Sequence, residues 1–235
     1  MLTTFCRLGA ATAALTLLAA CNTSSGGGAG GPGGGPGGGM GTSDPTHNAA
    51  FTAESRDGAT ASMPTSFSGT FNGSVQAQLR STDGSNSPLG HATGDLQLTA
   101  DWTDGQAGPA FTGTASNFEG EVEGTATAWD GTLNVDQTAG VNNILRSATC
   151  GTPGLPTCGT NGTTSSQRIG AVTVPLSGNL QVAGGTAGGN SNLLLAGSVS
   201  DDEDGMFGGT GGRFILPDGT IAAVAGEDST WYVER

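Results

Sequence analysis

In successive runs between residues 66 and 225 apolar residues recur at alternate positions, and this period of two limits the fold more than any other feature. Phe67, Gly69, Phe71, Gly73, Val75, Ala77 and Leu79 share one parity, while Ser68, Thr70, Asn72, Ser74, Gln76 and Gln78 take the other. Successive side chains of a strand point to opposite faces, so this run predicts a long strand with one apolar and one wet face. The pattern returns at Leu96, Leu98, Ala100 and Trp102, at Phe111, Gly113 and Ala115, and at Leu133 and Val135. It returns again at Val172, Val174, Leu176, Gly178, Leu180 and Val182, where Pro175, lacking a ladder donor, predicts an edge or a bulge. Further strands fit residues 193–199, 205–209, 212–216 and 220–225, with Pro217-Asp218-Gly219 as a hairpin turn. No stretch carries apolar residues at helical spacing over three turns. The expectation is an all-β chain: a single small antiparallel barrel of about eight strands, narrow enough for side chains to fill. Phe67, Phe71, Leu98, Trp102, Phe111, Leu180 and Phe214 are the candidate core. A membrane-spanning barrel would carry aromatic girdles, and the chain has a single Tyr.

The first residues read as processing signals. Arg7 and the amino terminus precede a short apolar run, residues 8–20, as in an export signal. Leu18-Ala19-Ala20-Cys21 resembles the lipobox of bacterial lipoproteins, and that resemblance implies cleavage after Ala20 and a lipid on Cys21. Asn22 follows, which points to the outer membrane as the destination, with either face open. The expected division is a signal peptide at 1–20, a lipid anchor and flexible glycine-rich linker at 21–65, and the barrel at 66–235. Residues 26–41 are almost all glycine. About 20 such residues give a reach of roughly 25 Å.

Charge excludes one class of partner. The chain has no lysine and seven arginines against 20 acidic residues, a formal net charge of −13. Nucleic-acid phosphates would be repelled, and contact with anionic headgroups is disfavoured for the same reason. The expected form is a monomer.

Cys6 leaves with the signal and Cys21 takes the lipid. That leaves Cys150 and Cys158, with seven residues between them in a Gly-, Pro- and Thr-rich segment. In an exported protein such a pair is read as a disulfide. The long irregular segment 138–168 around it is a candidate partner-binding loop, with Leu145, Arg146, Leu155 and Arg168 as contact residues, or else a tolerated surface insertion. Asp201-Asp202-Glu203-Asp204 is either an acidic hairpin turn or a calcium loop; the EF-hand spacing fails because Gly211 stands where a Glu is needed. His47 and His91 have no nucleophile near them in sequence, and no hydrolase, metalloprotease or P-loop motif occurs. No catalytic residue, cofactor or metal is expected.

Three stretches carry a family resemblance. They are residues 94–102 followed by 111–118, Gly205-Met206-Phe207-Gly208-Gly209 leading into Gly211-Gly212-Arg213-Phe214, and the closing hairpin through Gly226. Together, over residues 66–226, they resemble the C-terminal β-barrel of the transferrin-binding protein B family, which includes factor H-binding surface lipoproteins. The chain has room for one barrel only, and the spacer between the Phe-x-Gly and Gly-Gly-x-Phe strands is nearly absent. The resemblance implies a surface lipoprotein that recognises a protein or nutrient-carrier partner through its loops. A lipocalin-like carrier of a small ligand and a structural envelope lipoprotein are the alternatives.

Overall fold

A computed structural model describes residues 43–146 and 168–235. One antiparallel sheet closes into a ring. Its strands are β1 (Ser66–Arg80), β2 (Pro88–Thr103), β3 (Phe111–Val122), β4 (Thr125–Val135), β5 (Asn143–Arg146), β6 (Gly170–Val182), β7 (Gly188–Val199), β8 (Gly205–Ile215), β9 (Ile221–Val224) and β10 (Thr230–Glu234). Residues 205–209 and 212–216, expected as two strands, merge into the single strand β8; β10 is additional, and so is β5, which lies within the segment 138–168 expected to be irregular. The all-β barrel read from the sequence is the fold observed.

The ring has eight staves, two of them split. β9 and β10 run in the same direction, and both pair with β8 on one side and β1 on the other. β4 and β5 likewise follow one another along β6, Val135 opposite Leu176 and Asn143 opposite Thr173. Pro175 lies at this second break. Its carbonyl accepts from Asp136 N at 2.9 Å, so the donor it lacks would face the gap, where no ladder partner is missed.

All seven candidate core residues are buried. They share the interior with Trp231, Phe118, Trp129 and Met63, which the periodicity had not singled out. Phe118 and Trp129 both meet the Phe214 ring edge-on at 5.2 Å. The Trp129 indole N–H donates to Ile215 O at 3.0 Å, so a large apolar group is buried without an orphaned donor.

The segment 43–65, expected within the flexible linker, is ordered against the barrel. Asp44 caps the helix α1 (Pro45–Glu54), its side chain accepting from Thr46 N and His47 N, with Pro45 in the first turn. A 3-10 turn (Ser55–Asp57) follows. The chain then bridges Ala59 to Ser200 and Ser62 to Arg168, and buries Met63. The face α1 buries is mainly polar, which is why apolar periodicity did not reveal it.

Candidate functional site

The barrel axis is occupied by side chains: Trp231, Phe71, Phe111, Phe118 and Phe214 are all essentially inaccessible. Chemistry with a partner therefore belongs to the outer walls and loops. Two clefts lie there. One, of about 470 Å³, is bounded by Asp44 and by Glu119, Glu121 and His91 on the wall of β2 and β3. The other, of about 520 Å³, runs across β4, β6 and β7 between Asp130, Asn179 and Gln181.

The walls differ in charge. Strands β2 to β4 carry Asp95, Asp101, Glu119, Glu121 and Asp130 and no cationic Arg or Lys. Strands β6 to β8 carry no carboxylate and a single charged side chain, Arg213. On their outer face Leu145 lies opposite Ala171, Thr173 opposite Ala196, and Pro175 opposite Leu194. The exposed large apolar residues among those described are Leu145, Leu194 and Val141, all on this side or at its edge.

The candidate contact residues are only partly brought together. Leu145 is 62 % exposed. Arg146 is not free to meet a partner: its Nε donates to Met63 O at 2.7 Å and its Nη1 pairs with Asp104 at 3.0 Å. It ties Met63, at the end of the segment leading into β1, to the loop after β2. Arg168 is exposed, while its backbone exchanges hydrogen bonds with Ala61 and Met63. Leu155, Cys150, Cys158 and the lipidation residue Cys21 lie outside the described residues.

Sequence reasoning placed His47 in a flexible approach; the structure makes it the centre of a buried polar cluster. His47 is 2 % exposed. Its Nδ1 lies 2.6 Å from Ser74 Oγ and its Nε2 2.9 Å from Thr230 Oγ1. Its ring also meets Tyr232 at 5.5 Å. Burial pushes the imidazole down to about 4, with nearby Asp44 opposing weakly. Beside it Gln76, on the outer face of β1, is fully buried. Gln76 accepts from Asp44 N and donates to Asn48 Oδ1 and Asp228 O. A serine–histidine contact is present, but both ring nitrogens are engaged by hydroxyls beneath a helix. The arrangement anchors α1 and leaves no room for a reacting group.

At the other end of α1, Glu54 lies over Gly205, where a Cβ would come within 1.8 Å of its Oε1. That oxygen is buried without a hydrogen-bond partner. Burial first, and then Asp204, Asp202, Glu234 and Asp57, push the Glu54 carboxyl up to about 7. The acidic turn beneath is organised from within. Ser200 Oγ donates to Asp202 at 2.7 Å and accepts from Gly205 N at 3.0 Å. Among the described residues no three His, Cys, Asp or Glu side chains are grouped to hold a metal ion. The signal that could have exposed this region was local: Asp-Pro at residues 44 and 45 is a helix start.

No family model, no curated protein and no solved structure matches this chain.

Proposed function

We propose that the chain is an outer-membrane-anchored, noncatalytic binding lipoprotein that recognises a protein or nutrient-carrier partner through its loops and outer walls. Its resemblance to the transferrin-binding protein B barrel is of the same kind. The observation that carries this reading is the filled interior. With Trp231, Phe71 and Phe214 on the axis, a ligand cannot enter as it does in a carrier barrel, so recognition falls to the surface. The carboxylate-free wall with Leu145 and Leu194 is the part of a −13 chain least repelled by another protein. The glycine-rich stretch after Cys21 would hold that wall away from the headgroups.

Two measurements test this. Metabolic labelling with an alkynyl fatty acid should mark the wild type and leave Cys21→Ala unlabelled; equal labelling would remove the anchor. The domain from residue 43 onward should capture a protein from the organism's growth medium and show no retained small molecule by native mass spectrometry. A tightly held lipophile would move the reading to a carrier. Complete protection of the domain from protease on intact cells would place it on the periplasmic face.

A further inference from the structure

The helix α1 lies between the glycine-rich stretch and the barrel in sequence, and its two ends are seated in different chemistry. At the first end His47 sits between Ser74 Oγ and Thr230 Oγ1, on β1 and β10. The groups facing it are Asp44 on its own segment, Tyr232 on β10, and the neutral Gln76 on β1. At the last end Glu54 Oε1 is buried with no donor. The groups facing it are Asp57 on the 3-10 turn, Asp202 and Asp204 in the β7–β8 turn, and Glu234 on β10. Arg235 acts on Asp204. Each end excludes a charge, and the two charges are of opposite sign.

We infer that α1 is a two-ended strap whose grip on the barrel is levelled against pH by opposed protonation at His47 and Glu54. The signs follow from linkage. Glu54 titrates near 4.5 when free and at about 7 when seated. The seated form holds the extra proton, so seating weakens as pH rises between those values and then stays level. His47 titrates near 6.5 when free and at about 4 when seated. The seated form holds fewer protons, so seating weakens as pH falls between those values. Either change alone reaches at most roughly a few hundred-fold. For Glu54, which keeps contact with solvent, about ten- to hundred-fold is the expectation. Together the two oppose one another, and the net change between pH 4 and 8 stays below about thirtyfold, well under that of His47 alone.

If the strap lifts, residues 43–57 extend the glycine-rich stretch and uncover Tyr232 and Phe207, which His47 and Phe51 now cover, while the bridges at Ala59 and Ser62 and buried Met63 still hold the chain to the barrel. The gain in reach matters only if the anchored reading above is right; the seating equilibrium does not depend on it.

Hydrogen exchange of the α1 amides in the full chain, expressed as protection relative to β1 at each pH, tests the inference. Wild type should change by less than about thirtyfold from pH 4 to 8. E54Q should gain protection over wild type as pH rises from 4.5 to 7, by at least about tenfold. H47Q, whose amide can still donate and accept, should lose protection over the same range, again by about tenfold or more. The readout is the slope, so a change in overall stability of a variant leaves it legible. A wild-type profile that moves by more than about thirtyfold, or variants running parallel to it, overturns the inference. Failure of lipid labelling would leave it standing.

Discussion

The two split staves are solutions to one problem, and they differ in how each is sealed. Between β4 and β5 the chain leaves the ladder over residues 136–142, and two side-chain amides close the gap, Gln137 Nε2 donating to Phe111 O at 2.8 Å beside Asn142. Asn142 Oδ1 accepts from Phe111 N and its Nδ2 donates to Phe111 O, both at 2.9 Å, so the amide imitates one residue of a paired strand. Between β9 and β10 the chain leaves over residues 225–229, and several groups share the work. Ser229 Oγ accepts from Gln78 N at 3.0 Å, Ser229 O accepts from Thr210 N at 2.8 Å, and Ala225 N donates to Gln78 O at 3.2 Å. α1 then lies over this second seam. In the first seam the Phe111 carbonyl has two side-chain donors but its N–H has Asn142 Oδ1 alone; the second seam spreads its bonds over several groups and a helix.

Mutations can break that contrast. Asn142→Ala strands the Phe111 N–H in a buried site and should cost about 3 kcal/mol, read as a lower urea midpoint with an unchanged slope. A loss under about 1 kcal/mol would mean that water or a neighbour replaces the amide and that the first seam is as redundant as the second. Gly226→Ala attacks the second seam. Gly226 has φ +126, and a Cβ there would come within 1.5 Å of Gln78 Oε1. The expected cost is about 2 kcal/mol, because the Gln78 side chain can turn away while the backbone stays strained. It should appear as faster exchange of the Thr210 and Gln78 amides before any global loss. Asp104→Asn is the mildest. It removes an ion pair whose carboxylate side chain is 42 % exposed, leaves Arg146 Nε on Met63 O, and should shift stability by less than about 0.5 kcal/mol at physiological salt. A larger shift would show that the brace near the first seam supplies the redundancy that Asn142 lacks.

The same contrast explains what could be read from the chain beforehand. Long strands with inward Phe71, Leu98 and Phe214 were legible because burial on one face writes itself into alternate positions. β10 was not. Its five residues, with Trp231 and Val233 inward, are too few for a period to stand out. Gln76 and Gln78 sit on the parity assigned to water, yet both are buried. Local alternation reports which way a side chain points; it cannot report that a helix from residues 45–54 will cover that side. The helix itself is recognised by a polar face, His47 and Asn48, which leaves no apolar stripe to find. Leu145, read as part of a long irregular segment, stands exposed on the short strand β5, too brief for a period to show. The engagement of Arg146 with Met63 and Asp104 depends on elements more than 40 positions away.

Closure of the ring has a kinetic consequence. The contact between Gln78 and Ser229 joins positions 151 apart in the chain, and the β1–β10 ladder lies beside it. Such distant partners must find one another before the cylinder gains any benefit from being shut, so the search is slow, in the range of milliseconds to seconds for topologies of this kind. Until then β1 and β8 each present a bare edge, open to pairing with another chain. The vulnerable species is therefore a nearly complete barrel missing its last stave, and refolding yield should fall with protein concentration during that interval.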